Sequence, residues 1–418
     1  MTAESGDVVA MLYRLLLETG RIDQAEPLAE RWVTWLEDQG RTEDSDYARA
    51  VGDLIGIQRA LGGPGRDVES RMYDLLAAER ALYGDESLEV AADQDALAKV
   101  LMEKMMHCQA EPLLVKSLKT RRAMCGAQSL EVARTLSKLG ATLLAQHAYK
   151  KAEETFREAF KINAVKRGFT HPDTVANMRS IGLALCRQVK YEEAEPFYEK
   201  VVKADYAAYG TEECTEVINE LNVLAVLRYA MGRLDAAEPM LRKVLELREK
   251  VVGPNHPDVA DSLINLAALL NSKSRYSDAL PLLERALDVC RAANGTEHPD
   301  TVACLDRIAE THQKMSNFDL AEVVYAEALE INERMHGKEH YSVAETLSDL
   351  GELLHRTGRL LEAEDVHKRA LAIRETLFGP HHETVKESCL CLSLLMGKLG
   401  RTQEAEFYQE KASQVREK

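Results

Sequence analysis

The chain repeats itself. Ala-Glu-Pro, or a degraded copy of it, returns at Ala110, Ala152, Ala194, Ala237, Ala279, Ala321, Ala363 and Ala405, in steps of 42, 42, 43, 42, 42, 42 and 42 residues. Two earlier copies stand at Ala25-Glu26-Pro27 and around Val68. A fixed period of this size implies a stack of like structural units. Each unit contacts only its neighbours, so binding has to be sought on surfaces shared between units.

A length of 418 residues would ordinarily suggest two or three closed domains, but the period points to one elongated domain of about ten units. Hydrophobic residues make up 45%, charged residues 29% and aromatics 6%, which suits helix pairs packed through Ala and Leu. The formal charge of −16 argues against nucleic acid and anionic membranes as main partners. Glu4 and Asp7 interrupt any leader-like apolar run, and no stretch approaches the roughly 18–20 uncharged residues of a membrane span. The eight cysteines are scattered without a CxxC, and most sit beside Leu or Ala, where a thiol behaves as a small hydrophobe. A cytoplasmic protein is expected.

The copy from Gly253 to Gly295 shows what one unit contains. Gly253 ends a helix; Pro254-Asn255-His256-Pro257-Asp258 then opens the next, with Pro257 suited to the first turn and Asp258 to the positive dipole end. Leu263, Leu266, Ala267 and Leu270 form the i, i+3, i+4, i+7 stripe of a buried face. Polar Asn271 to Ser274 break the helix, and a second one runs from about Tyr276, with Ala279, Leu282, Leu283, Ala286 and Leu287 inward. Across units, the position twelve residues before the motif Ala holds Gly56, Ala98, Gly140, Gly182, Ala225, Ala267, Ala309, Gly351 or Ser393, all small. The position before it is always aliphatic, from Ile55 to Leu392. Small residues in both helices let two backbones approach closely.

These positions resemble the tetratricopeptide repeat family: large–x2–aliphatic–small in the first helix, then Ala and, four residues later, Phe156, Tyr198, Leu241, Leu283 or Tyr325 in the second. That family's usual period is 34 residues, so eight more add about two helical turns. The turns Gly168 to Asp173, Gly253 to Asp258 and Gly295 to Asp300, each Gly-x-x-His-Pro-Asp, look like the 42-residue kinesin light chain and nephrocystin subgroup. The resemblance implies an all-α, superhelical solenoid of about ten antiparallel helix pairs. Units are expected to start near 45, 87, 129, 171, 213, 256, 298, 340 and 382, after an atypical capping repeat at 1–44. No heptad segment precedes the array and no Walker loop is present, so neither the heavy-chain-binding coiled coil nor the nucleotide-binding part of such relatives is matched.

The first unit departs from the rest. Tyr13 fills its small slot, and Trp32 and Trp35 fit either a cap or an aromatic docking site. Gly62-Gly63-Pro64-Gly65 reads as a lengthened, flexible turn, and Ser413 to Lys418 as a polar stop.

Enzyme motifs such as GxxxxGK[ST], HExxH and GxSxG are absent, so no catalytic, cofactor or metal site is expected. His171, His256, His298, His340 and His382 recur at one turn of successive units and do not converge as metal ligands must. Gly337 between His336 and His340, four apart, is expected to prevent helical pairing. In the resembling arrays, first helices line a concave groove for peptides or helices. The slots facing it point to Arg134, Lys138, Ser180, Asn219, Asn265, Arg307, Glu345 and Asp349 as partner-binding residues, basic near Lys138 and acidic near Asp349. Kinesin light chains repeat Asn in the second of these slots; here only Asn265 does. The expected function is a non-catalytic adaptor for a segment of a protein partner, cytoskeletal and motor-associated components among the candidates. The alternative is a subunit of a cytoskeletal or ciliary assembly held by its ends and convex face.

Overall fold

The computed structural model describes residues 3–61 and 66–414. The Gly62 to Gly65 turn and the last four residues lie outside them. Among the described residues all regular structure is helical, and packing divides the chain into two compact units, 1–210 and 211–418. In the first, α1 (Ala3–Glu18) pairs with α2 (Ile22–Asp38), α3 (Ser45–Ala60) with α4 (Arg66–Tyr83), and α5 (Leu88–Glu103) with α6 (His107–Cys125). Then α7 (Leu130–Ala145) pairs with α8 (Tyr149–Arg167), and α9 (Pro172–Arg187) with α10 (Tyr191–Tyr209). The second unit pairs α11 (Thr215–Ala230) with α12 (Leu234–Val252), α13 (Pro257–Ser272) with α14 (Tyr276–Asn294), and α15 (Pro299–Lys314) with α16 (Phe318–His336). It closes with α17 (Tyr341–Arg356) on α18 (Leu360–Phe378), and α19 (Glu383–Lys398) on α20 (Thr402–Ser413). First helices such as α13 have 16 residues and second helices such as α14 have 19, so the longer period goes into helix length. The two are about 24 Å and about 28 Å long.

Local chemistry fixes where the first helices begin. Ser129 Oγ accepts the Val132 N–H at 3.3 Å, an ordinary N-cap. From α9 onward, α11 with Cys214 at its N-cap excepted, the recurring histidines take over: Nδ1 of His171, His256 and His298 accepts the N–H two residues on, at 3.2 Å in each case. His340 and His382 do the same at 3.3 Å. The Gly337 turn does not separate His336 from His340: it folds the two rings face to face, centroids 4.3 Å apart. Between the helices of a pair one residue adopts positive φ, as Gly232 (73°) and Gly358 (83°) do freely. Met105, His147, Val189, Ser274 and Ser316 hold it with a side chain attached.

The small slot works as its pattern implies. A Cβ on Gly140 would lie 2.7 Å from Phe156 Cε1, one on Gly182 2.7 Å from Tyr198 Cε2, and one on Gly351 2.6 Å from His367 Nε2. Each ring of a second helix thus rests on the bare backbone of its own first helix. His367, on α18 of the ninth pair, is that unit's occupant of the aromatic position. It is 5% exposed, and burial, followed by the charges of His355 and Arg374, pushes its pKa down to about 4.

The Glu of the motif ties one pair to the next. Glu364 accepts from Arg401 at 2.6 Å, Glu322 from Arg359 at 2.6 Å and Glu238 from Arg275 at 2.9 Å, each partner standing at the N-cap of the following second helix. Within each compact unit, several consecutive pairs also meet at one buried register, fourteen residues apart in sequence. There Asn163 Nδ2 donates to Asn177 Oδ1 at 2.8 Å, Arg248 to Ser262 Oγ at 2.9 Å and Asn332 to Thr346 Oγ1 at 3.0 Å. The thiols of Cys290 and Cys304 fill the same register 3.7 Å apart.

Candidate functional site

Of the eight expected partner-binding residues, Arg134, Lys138 and Ser180 belong to the first unit and the other five to the second. Arg134 is exposed on α7. Lys138 is not a free cation: its Nζ lies 3.2 Å from Asp95 Oδ2, whose side chain is 5% exposed and also faces Arg121 at 3.4 Å. Of the expected basic pair, Lys138 is therefore answered from within the fold, whereas Arg134 stays exposed. Ser180 is half-buried. Asn219 Oδ1 accepts from Arg248 at 2.9 Å, and Asn265 donates to Asn222 Oδ1 at 3.3 Å, so both amides have partners inside the array.

Arg307, Glu345 and Asp349 come together. They border a cavity of about 470 Å³ between α15 and α17. Helical spacing explains the lining: Ala303, Arg307, Glu310 and Lys314 form one stripe of α15, and Glu345, Asp349, Glu352 and Arg356 the matching stripe of α17. Asp306, Gln313 and Tyr325 complete the wall. The expectation missed Asp306, Glu310 and Glu352. Extending each two-residue slot by one more turn finds the last two, whereas Asp306 sits beside the stripe and only the packing reveals it.

The cavity is acidic in excess. Glu310 is paired, with Lys314 at 2.7 Å and Arg307 at 3.4 Å; burial pushes its pKa up, but these cations outweigh it and hold it low. Arg356 lies over the Phe318 ring, 5.6 Å from its centroid. Among the described residues no ion pair neutralises Asp306, Glu345, Asp349 or Glu352. Burial, then the charges of Asp349 and Glu345, raises Asp306 to about 7, and its Oδ1 is buried without a hydrogen-bond partner. Asp349 rises to about 6 by burial and by Glu352 and Glu345. Its side chain is open to solvent on one side, so screening weakens that shift. Mutually repelling carboxyls and an orphaned oxygen leave this lining with unanswered negative charge.

Antiparallel helix pairs of this kind, and no other regular structure among the described residues, define the class of protein. The sequence pattern of the tetratricopeptide repeat matches residues 94–164, 131–207, 216–292, 264–334, 301–376 and 342–418. The chain belongs to the tetratricopeptide repeat family. Comparison with curated proteins returned no match. Solved structures similar to it include the apo form of the quorum sensor NprR from B. thuringiensis, at 14% identity and a TM-score of 0.56, covering 91% of this chain and 99% of that one. BtubC (BKLC) from P. vanneervenii matches at 24% identity and a TM-score of 0.46, over 55% of this chain and 90% of that one. Repeats of a Podosopora anserina putative kinesin light chain match at 20% and 0.45, over 50% of this chain and 98% of that one. At these identities the likeness concerns the fold alone. Among the described residues no helix is long and apolar enough to cross a membrane.

Proposed function

We propose that the chain is a protein-interaction scaffold whose first helices in the second unit hold a segment of a partner protein, with a Lys or Arg side chain of that segment in the α15/α17 cavity. Repeats of this family and fold support the scaffold. The observation that carries the basic side chain is Asp306, half-buried beside Asp349 and Glu345 with a buried Oδ1 that nothing in the described structure satisfies. A cation there would deprotonate the carboxyls and form charge-assisted hydrogen bonds with them. A polyanion would meet the same field with the opposite sign.

The test is an array of nonapeptides with Lys or Arg, a neutral residue, or Glu at the centre, probed with the labelled protein. Basic peptides should be retained, and Asp306→Asn combined with Asp349→Lys should release them. Retention that ignores the central charge, or survives the double variant, would refute the assignment. Binding should also strengthen as pH rises from about 5.5 to about 7.5, because Asp306 and Asp349 lose protons over that range.

A further inference from the structure

A second hollow lies within the first compact unit and has the opposite polarity to the acidic cavity. It holds about 300 Å³ and is lined by Phe169, Thr170, Met178, Lys200, Lys203 and Ala204. Met178 and Ala204, 1% and 6% exposed, give it an apolar floor. Phe169 is 61% exposed, and its ring leans on Phe160 with centroids 6.0 Å apart. Lys200 and Lys203 stand three residues apart on one face of α10. Both are exposed, and among the described residues no ion pair answers either. The Lys200 ammonium has only the Phe197 ring nearby, 5.9 Å to the centroid.

The repeat shows this to be a departure. Lys200 and Lys203 come six and nine residues after the motif Ala194, and elsewhere those two positions are tied to the preceding pair. Six residues after Ala363, Arg369 meets Glu333 at 2.5 Å; six after Ala405, Lys411 meets Glu375 at 2.5 Å. Nine residues after Ala110, Lys119 meets Glu86 at 3.0 Å. Between α6 and α8 the first of these bridges persists with its signs exchanged, as Arg122 with Glu158 at 2.7 Å. By the same count the counter-ions of Lys200 and Lys203 would stand at 164 and 170, which hold Ala164 and Thr170. The hollow of the same register between α16 and α18 carries Glu333, Lys338, Glu339 and Arg369, two acids against two bases. Here Phe169 replaces Lys338, Lys203 replaces Ala372, and no acid is left.

We propose that this hollow binds an acidic segment of a protein partner. A Leu or Phe side chain of that segment lies over Met178 and Ala204 against the Phe169 ring. Its flanking carboxylates take the places beside Lys200 and Lys203 that Glu333 and Glu86 fill at their own junctions. The apolar floor supplies affinity by leaving water, and the two ammonium groups fix sign and orientation. A bare phosphate would leave that floor uncovered. An anionic membrane would meet a chain whose net charge is −16 around this one hollow.

The probe is a fluorescein-labelled dodecapeptide with Glu-Leu-Glu-Phe-Glu at its centre in a Gly/Ser background, followed by anisotropy. It should bind saturably, more weakly as salt is raised, and the same peptide with Gln for Glu should bind on the order of 10-fold more weakly. Lys200→Glu with Lys203→Glu should cost a similar factor, and because both side chains are exposed the melting temperature should not move. Ala164→Glu with Thr170→Glu should also block the peptide, by supplying from within the carboxylates that the register lacks. Asp306→Asn with Asp349→Lys, which disables the α15/α17 cavity, should leave this binding intact, so the two sites stand or fall separately. No saturable binding up to about 1 mM peptide would overturn the inference. So would affinity indifferent to the lysine double variant, or retention of phosphatidylserine vesicles in place of the peptide.

Discussion

Gly140, Gly182 and Gly351 each stand where a methyl group would collide with a ring of the paired helix. Gly140→Ala should therefore destabilise the protein by about 1–3 kcal/mol, as overpacking does, rather than stabilise it as Gly→Ala does in an open helix. Chemical denaturation would show which; a more stable variant would mean that the ring is not held there. His367 adds a pH signature. Unfolded, an imidazole takes up its proton near pH 6.5; here burial delays uptake to about pH 4. Between those values the unfolded chain binds more protons, so this contribution to stability is lost as pH falls through that window. His367→Phe, a residue the slot already accepts at Phe156, should reduce the drop in stability between pH 7 and pH 4.5 by on the order of 2–3 kcal/mol. Val189, a β-branched residue at φ 61° and 68% exposed, is strained, and Val189→Asn should raise stability by about 0.5–1 kcal/mol, measurable in the same denaturation curves. The small slot was legible because it recurs in every unit after the first. His367 was not, because a histidine among aromatics reads as polar until the Gly351 contact shows that it replaces a ring.

At the scale of the element, helix starts and stops could be read from Ser, His-Pro-Asp and Gly alone, since caps are local chemistry. The inter-helix register was invisible for the opposite reason. Asn163, Arg248, Cys290 and Asn332 share no chemical type, and only their fourteen-residue separation from their partners unites them. The α4/α5 member of the series is Glu79 with Asp93, which leave Glu79 Oε2 and Asp93 Oδ2 buried and unsatisfied. Burial, then the Asp93 charge, raises Glu79 to about 7. The folded junction thus holds a proton that the unfolded chain releases near pH 4.5, and its contribution is lost as pH rises through 7. Glu79→Gln should stabilise the protein at pH 8 by on the order of 1 kcal/mol, discounted because both carboxyls are partly solvated, and by less at pH 5. Thermal melts at the two pH values settle it. A larger gain at pH 5 would show that the pair is not protonated in the fold.

For the whole molecule, net charge narrowed the partners, and the slots gave the acidic end of the groove but not the internal pairing of Lys138. Lys138 was read as a basic contact because Asp95, its counter-ion, lies 43 residues earlier in another pair. The acidic cavity was half legible: Arg307, Glu345 and Asp349 followed from the slots, while the buried, unanswered Oδ1 of Asp306 needed the third dimension to be seen. The most direct measurement is calorimetric titration of the wild-type protein and of Asp306→Asn/Asp349→Lys with one array-selected basic peptide, in two buffers of different ionisation enthalpy at pH 6.5. The expected result is binding with net proton release in the wild type and none in the variant. Equal affinity in both proteins, or proton uptake on binding, would contradict the cation-receiving cavity.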